Sequence, residues 1–321
     1  MRLSFVSGWM EELVYRLFVK ILTGISTISN QGLDFWSRFL GDLWFKCDTK
    51  HRKVALSNLL LVGSELEKHR NENFSYQDIY EIARLNFRHI ARVFLEIPRF
   101  RHINAENVNH FVTCSGAEEV KKALDEGRGV ILLTGHFGNW EITAHVAPFF
   151  LGTPINILAR PLDFPPLERL ITEIRCSTGN RVFARKSSAR KVLRSLKNNE
   201  IIGILQDQRS SKHDGVTVPF LGRPAITHKG MAILAARTGA AVIPVFSHRK
   251  KDGRYHIEIH PKLYLIDTGD VKKDIILNSA LFNRVLEKQV KKHPEQWFWV
   301  HRRWRIERKK KRRLWRKKKR K

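Results

Sequence analysis

The chain has 321 residues, of which 42% are hydrophobic, so it can build a packed core and wholesale disorder is excluded. Its three cysteines lie far apart and form no CxxC pair, which argues against a disulfide framework or a cysteine zinc site. The net charge of +28 is uneven, because residues 301–321 hold 15 Lys and Arg against one acid, and the rest is still basic. Such a chain is expected to seek nucleic acid, anionic lipid or an acidic protein.

The N-terminal 46 residues are predicted to be helical and rich in aromatic residues. Neither a cleavable secretory signal nor a membrane-spanning helix is predicted, because charges interrupt residues 13–29 and Pro and Gly break residues 142–159. Large apolar residues recur at helical spacing or cluster nearby: Trp9, Leu13, Leu17, Ile21, Phe35, Trp36, Phe39, Trp44 and Phe45. Two interpretations stay open, a helix lying in a membrane interface and an ordinary helix packed on the core.

Two further helices, at 52–69 and 76–97, precede a change of pattern near residue 116, where helices and strands begin to alternate. The predicted helices are 117–126, 138–147, 166–178, 188–198 with Ser187 as a possible N-cap, 228–238 and 271–292. The predicted strands are the run through Gly135, 155–159, 181–183, 201–205, 240–246 and an exposed strand at 256–266.

This order predicts an α/β fold with a mixed, largely parallel sheet flanked by helices and preceded by an N-terminal helical region. We divide the chain into an N-terminal helical, membrane-interfacial region at 1–100, an α/β domain at 101–306 and a polybasic tail at 307–321. The tail is of low complexity and is not expected to fold by itself.

The segment Gly-His-Phe-Gly-Asn-Trp-Glu at 135–141 is the strongest candidate for chemistry. It lies where a buried strand ends and a helix begins, which is where open α/β sheets bind ligands. Glu141 can reach His136 only if the histidine lies on the turn before the helix, which Gly135 and Gly138 permit. A carboxylate on one imidazole nitrogen would make the other a general base, although a purely structural histidine is the alternative.

Other reaction classes lack their motifs. The sequence contains no HExxH, GxSxG, GxGxxG or GxxxxGK[ST] pattern, so it signals no zinc protease, serine hydrolase or nucleotide site. No metal and no cofactor is indicated. A base without an obvious protein nucleophile favours direct transfer to a hydroxyl of the substrate.

The motif is followed by Arg160-Pro161, Asp207-Gln208, the block 214–246 that contains Gly-Arg-Pro-Ala, and Pro-Glu-Gln-Trp-Phe-Trp-Val-His-Arg-Arg-Trp-Arg at 294–305. Over about residues 1–306, this order resembles the late acyltransferases of lipid A biosynthesis, the lauroyl and myristoyl transferases of lipopolysaccharide assembly. They belong to the lysophospholipid acyltransferase superfamily.

The resemblance implies an acyltransferase in which His136 is the general base and Glu141 its partner. The donor would be a fatty acyl thioester on acyl carrier protein, and the acceptor a hydroxyl of a lipid A precursor. The residues expected to line the substrate site are Asn139, Arg160, Asp207, Gln208 and Arg223. The enzyme would be a peripheral or monotopic protein on the cytoplasmic face of the bacterial inner membrane, with the basic tail attracted to anionic lipid.

Several of these residues have a structural alternative. Arg160 and Asp207 could form an ion pair, and the 223–227 segment could be a loop leading into a helix capped by Thr227. Trp297 and Trp299, with Phe298 between them, are favoured as core packing. His301, Arg302 and Arg303 could contact phosphates or form a solvated end.

Two alternative functions remain. The same chemistry could act on another acceptor, such as a lysophospholipid, a mannosylated lipid or an amino-acid lipid. A basic nucleic-acid-binding protein is less favoured, because no nucleic-acid fold signature accompanies the charge.

Overall fold

The structure is a computed structural model that describes residues 8–71, 73–184 and 188–304. Its α-helices are α1 Gly8–Ser26, α2 Asn30–Cys47, α3 Thr49–Arg70, α4 Tyr76–Glu96, α5 Val108–Phe111, α6 Ala117–Asp125, α7 Trp140–Leu151, α8 Pro165–Cys176, α9 Ala189–Lys197, α10 Gly230–Thr238 and α11 Val271–Lys292. Its strands are β1 Val112–Ser115, β2 Val130–Thr134, β3 Ile155–Ala159, β4 Arg181–Ala184, β5 Ile201–Leu205, β6 Gly215–Phe220, β7 Arg223–His228, β8 Ala241–Arg249 and β9 Tyr255–Ile259.

Seven strands form one sheet in the order β1-β9-β8-β2-β5-β3-β4. Strands β8, β2, β5, β3 and β4 pair in parallel, whereas β9 runs antiparallel to β8 and pairs in parallel with β1. Strands β6 and β7 form a separate antiparallel hairpin. The α/β class with a mixed, largely parallel sheet and N-terminal helices is therefore confirmed.

Apolar side chains fill both faces of the sheet. On one face, helices α3, α4, α9, α10 and α11 and the segment 297–304 share a core with alternate residues of β2, β5 and β8. On the other face, α6, α7 and α8 cover the remaining residues of those strands. The strands buried on both sides read as continuous apolar runs for this reason.

Helix α2 shows how the N-terminal region attaches to the rest of the chain. Its buried residues Leu33, Ser37, Gly41 and Phe45 recur every fourth position and face α4. Gly41 lets the two backbones approach, because a Cβ there would lie 2.5 Å from the Cα of Arg88. Helix α2 is thus packed on α4 along one narrow stripe.

The outer faces of α1 and α2 are apolar and exposed. The exposed large side chains of these helices are Trp9, Met10, Leu13, Leu17, Ile21, Phe35, Trp36, Phe39, Leu40 and Leu43. Of the residues predicted to form this surface, Phe45 is instead buried and Trp44 half-buried, and both rings pack against Phe87. Within the part of the chain that the structure describes, no helix is both long enough and apolar enough to cross a bilayer.

Four local predictions need correction or comment. The predicted strand 256–266 is strand only to Ile259, and β9 lies inside the sheet with alternate residues buried. The segment 223–228 is strand β7, so Thr227 is a buried strand residue and not a helix cap. The short strand β1 was not predicted at all. Ser187 lies outside the described residues, and Ser188 occupies the N-cap position of α9.

Candidate active site

The site forms at the carboxyl edge of two neighbouring parallel strands. In the register of β2 against β5, Thr134 pairs with Leu205. His136 and Asp207 each follow two residues later, so the register brings them together at the same height above the sheet. Gly135 makes the approach possible, since a Cβ there would lie 3.1 Å from Cγ of Asp207 and 2.9 Å from a methyl group of Leu286.

Asp207 is buried and accepts three hydrogen bonds. Its Oδ1 lies 2.9 Å from Nδ1 of His136, while its Oδ2 accepts from the His136 backbone N–H and from Nε1–H of Trp297, both at 2.9 Å. Burial opposes ionisation, but the charge of His136 and these hydrogen bonds lower the pKa of Asp207 to about 2. Because an ionised carboxylate can only accept, Nδ1 of His136 carries a hydrogen, and in the neutral ring Nε2 keeps its lone pair.

The other side of the His136 ring faces a small polar and aromatic surrounding. The side-chain amide nitrogen of Gln208 lies 3.3 Å from Nε2 of His136. The rings of Trp140 and Phe298 lie 5.2 and 5.7 Å from the imidazole, centroid to centroid. The His136 side chain remains 22% exposed, so Nε2 is the part of the ring that a substrate can approach.

The turn after His136 is fixed by buried contacts. Gly138 has a positive φ of 56°, and a Cβ there would overlap the backbone carbonyl of Ser247. Its N–H donates to the carbonyl of Gln296 and its own carbonyl lies 3.0 Å from Nε2 of His89. Phe298 donates its backbone N–H to the carbonyl of His136 at 3.0 Å. The imidazole therefore stands on a rigid support.

Glu141 does not lie where the sequence suggested. Its two carboxylate oxygens accept from Nε and Nη2 of Arg175 at 2.9 and 2.7 Å, and one of them also accepts from Nε1–H of Trp140. Glu141 was predicted as the carboxylate partner of His136, but the carboxylate on the imidazole, at Nδ1, is that of Asp207. The reason is geometric: Glu141 lies in the first turn of α7, while Asp207 follows the adjacent strand.

Three predicted substrate-binding residues differ in their placement. Asn139 is fully buried, where it caps α7 through Ile142 N–H and donates to Glu96, so it supports the turn. Arg160 is exposed and pairs with Asp163 at 3.4 Å, so the alternative ion pair with Asp207 is not formed. Arg223 lies at the turn end of the β6–β7 hairpin and donates to the carbonyl of Leu61, away from the hairpin end where Thr227 pairs with Arg209.

The aromatic segment near the C-terminal end contributes to both core and site. Trp297 and Trp299 are buried, which confirms their predicted packing role. Trp297 in addition donates to Asp207, which the sequence analysis missed. Arg303 is buried and donates to the carbonyl of Ile226 and the hydroxyl of Thr227, so it holds the hairpin.

An apolar pocket opens beside the His136 turn, between α7 and the sheet. Thr134 and Trp140 connect this pocket to the site, and its volume is about 50 Å³, so it is narrow. Its walls are almost wholly apolar and come mainly from α7 and six strands, and they include Leu132, Ala144, Ala147, Ile157, Leu205 and Val245. Gly203 also lines it, and a Cβ there would have room.

No group of three or more His, Cys, Asp or Glu residues in the described ranges is arranged to hold a metal ion. The polar centre of the site is therefore the pair of His136 and Asp207, together with Gln208. An oriented imidazole beside an apolar pocket can act as a general base on a substrate that has an apolar part.

Comparison with known proteins identifies the class more closely. The family model of the bacterial lipid A biosynthesis acyltransferases matches residues 9–306, and the chain belongs to this family. It is 26% identical over 266 residues to the lipid A biosynthesis lauroyltransferase of Escherichia coli K12, covering 82% of each chain. The palmitoleoyltransferase of lipid A biosynthesis from the same organism is 26% identical over 220 residues, covering 68% of this chain and 69% of its own.

One relative has a name from outside lipid A biosynthesis. A phosphatidylinositol mannoside acyltransferase of Mycolicibacterium smegmatis is 27% identical over 228 residues, covering 70% of this chain and 72% of its own. These relatives are all named as acyltransferases of one kind or another. This protein is therefore an acyltransferase.

Proposed function

We propose that the protein transfers a fatty acyl chain from a thioester on acyl carrier protein to a hydroxyl of a lipid A precursor, with His136 as the general base. The observation that carries this proposal is the bond between Nδ1 of His136 and the buried carboxylate of Asp207, which leaves the lone pair of Nε2 on the opposite edge of the ring, beside the Gln208 amide. The names of the relatives in Escherichia coli support lipid A as the acceptor class.

The proposed reaction needs only one proton carrier. Nε2 of His136 takes the proton of the acceptor hydroxyl as its oxygen attacks the thioester carbonyl carbon. The C–O bond forms, the tetrahedral intermediate collapses, and the C–S bond breaks. The imidazolium then returns its proton to the departing thiolate, so the products are an ester and a free thiol. Asp207 stabilises the imidazolium between these two transfers.

Gln208 and Glu141 would assist in different ways. The Gln208 amide lies 3.3 Å from Nε2 and marks the position at which an acceptor hydroxyl would approach the base. Glu141 is proposed as a positioning residue: its ion pair with Arg175 and its bond to Trp140 fix the first turn of α7. Trp140 in turn lies against the imidazole.

The apolar pocket between α7 and the sheet is the proposed seat of an acyl chain. It begins at Thr134 and Trp140, next to His136, and continues along β3, β5 and β8. Its walls are apolar, as a hydrocarbon chain requires. Each methylene group buried there contributes about 0.8 kcal/mol.

We further propose that the enzyme works at the cytoplasmic surface of the bacterial inner membrane. The exposed aromatic face of α1 and α2 would lie in the interface, and the basic tail at 307–321 would be attracted to anionic lipid. The division of the chain into an interfacial region, a catalytic domain and a tail belongs to the same proposal.

A mannosylated lipid is the second candidate acceptor. The observation that favours it is the similarity to a phosphatidylinositol mannoside acyltransferase at nearly the same identity as to the lipid A enzymes. The two acceptors share the hydroxyl that His136 would deprotonate, so the proposed chemistry is the same for both.

Mass spectrometry of products separates these possibilities. The purified protein is incubated with acyl carrier protein carrying a fatty acyl thioester and with either a lipid A precursor or a phosphatidylinositol mannoside. We expect one added acyl group on the lipid A precursor and none on the mannoside. Acylation of phosphatidylinositol mannoside alone would instead establish the second candidate.

A further inference from the structure

A basic pocket lies next to the pair of His136 and Asp207, on the opposite side from the apolar pocket. It is lined by the N-terminal turns of α3 and by the segment 300–302, and its volume is about 390 Å³. Its polar side chains are all basic or imidazole: Lys50, His51, Arg209, His301 and Arg302. Arg209 follows Gln208, whose amide lies against His136, so the pocket adjoins the site.

The guanidinium of Arg209 is the most informative group in this pocket. Its Nε is buried and has no hydrogen-bond partner among the described residues. A buried donor left unpaired costs about 1–3 kcal/mol, so such a group is expected to have a partner in the functional state. A rotation of the Arg209 side chain toward an anion in the pocket would supply this partner.

His301 is held in a defined state beside Arg209. Its Nε2 accepts the backbone N–H of Arg209 at 2.8 Å. Burial is the main cause that lowers the pKa of His301 to about 4, so the ring is neutral near pH 7 and carries its hydrogen on Nδ1. The imidazole is therefore a hydrogen-bond donor that adds no charge of its own.

One acid near the pocket has other hydrogen-bond partners. Asp48 is occupied at the junction of α2 and α3, where it accepts from His51 backbone and ring and from Nε1–H of Trp44. Among the residues that the structure describes, Lys50, Arg209 and Arg302 form no ion pair. Three cations thus surround a cavity that has room for much more than a water molecule.

We propose that this pocket binds a phosphate group of the lipid acceptor and so determines which hydroxyl reaches His136. This inference rests on the proposed acyl transfer, because it names the part of the acceptor that the enzyme would recognise. Guanidinium groups and lysines are the side chains that bind phosphate best, through charge-assisted hydrogen bonds.

The position of the pocket favours the acceptor over the donor as the source of the phosphate. Lys50 and His51 directly follow α2, whose outer face carries Phe35, Trp36 and Phe39. A lipid whose chains lie against that apolar face would place its headgroup at the C-terminal end of α2, next to the basic pocket. The phosphate of the thioester donor is the competing source, and kinetics separate the two.

Binding of inorganic phosphate tests the pocket without any catalysis. The rise in Tm in phosphate, relative to chloride at equal ionic strength, is compared for the wild type, Arg209→Gln and Arg302→Gln. Arg237→Gln is the matched control, because Arg237 is exposed on α10 and lies outside the pocket. We expect the rise to persist in the control and to fall by at least half in the two pocket variants. Equal rises in all four proteins would overturn the proposal.

Steady-state kinetics test the assignment to the acceptor. In Arg302→Gln, KM for the phosphorylated acceptor should rise about tenfold, whereas KM for the same lipid after phosphatase treatment should not change. A rise confined to KM for the acyl donor would contradict the assignment to the acceptor. If no form of the protein transfers acyl groups, the proposed function fails, while the phosphate-dependent Tm still decides whether the pocket binds anions.

Discussion

Two carboxylates lie near the candidate base, Asp207 and Glu141, and they stabilise different regions of the molecule. Asp207 follows β5, has a side chain that is 2% exposed and holds Nδ1 of His136. Glu141 lies in the first turn of α7, has a side chain that is 14% exposed and forms a two-bond ion pair with Arg175. The nearer residue in sequence thus supports the helix, while the distant one supports the base.

Strand register decides the partner of a residue at a sheet edge. Residues that follow adjacent parallel strands by the same number of positions meet, whatever their separation along the chain. Glu141, which lies five positions after His136 and inside a helix, instead contacts neighbours on the helix surface. Substitutions, a deletion and a change of salt can test this division of roles.

Removal of the imidazole should have the largest effect. His136→Ala is expected to lower kcat by about 10²–10⁴-fold, because general base catalysis typically contributes that much. It should also reduce the free energy of unfolding by about 2 kcal/mol, since the buried Asp207 loses a hydrogen-bond partner. His110→Ala, at an exposed histidine of α5, is the control. Full activity in a folded His136→Ala protein would end the proposed mechanism.

Filling the apolar pocket should change which acyl chain is transferred. Gly203 lines the pocket from the centre of β5, and a Cβ there meets only ordinary contacts at 3.8 and 3.9 Å. Gly203→Ala should therefore fold, and should lower kcat/KM for a long-chain donor by about tenfold or more relative to a short-chain donor. Competition between donors of two lengths measures this ratio. An unchanged ratio would mean that the acyl chain does not bind in this pocket.

Salt should affect the two kinds of acyl donor differently. Acyl carrier protein is acidic, so a basic enzyme surface would steer its docking, and this attraction is screened at higher ionic strength. We expect KM for the carrier-protein donor to rise severalfold between low and physiological salt, and more than KM for acyl-coenzyme A. An equal salt dependence of both would argue against a docking site for the carrier protein.

Deletion of residues 307–321 should have the smallest effect on chemistry. These residues carry 12 Lys and Arg and one acid, and they contain only two large apolar residues. Turnover on detergent-solubilised substrate should stay within about twofold, while binding to anionic liposomes weakens and binding to neutral liposomes does not. Liposome sedimentation measures this. A collapse of turnover in detergent would mean that the catalytic domain extends into the tail.

Much of the fold follows from the sequence because its signals are local. The apolar run of β5 at 201–205 and that of β3 at 155–159 have the bounds that were predicted. Residues 223–227 of β7 were interpreted as a loop and β6 was not predicted, since Pro219 and Pro224 interrupt the alternation of the hairpin. The turn between its strands, with a positive φ at Leu221 and Gly222, was the signal that could have identified it.

The site could be predicted in part for the same physical reason. His136 stands beside a glycine at the end of a buried strand, which is visible in one stretch of sequence. The partner of His136 is not, because it depends on β5 being the neighbour of β2. The supporting residues His89, Glu96 and Trp297 come from still more distant segments. Contacts of this kind follow from topology and cannot be read from spacing.

The most direct test compares conservative amides at the two carboxylates. Asp207→Asn removes the charge beside Nδ1 of His136 and allows the amide to favour the wrong tautomer, whereas Glu141→Gln weakens the ion pair with Arg175 and the hydrogen bond from Trp140. With both variants folded by circular dichroism, we predict that kcat falls 10²-fold or more in Asp207→Asn and about tenfold or less in Glu141→Gln. The reverse order would contradict the assignment of Asp207 as the residue that orients the base.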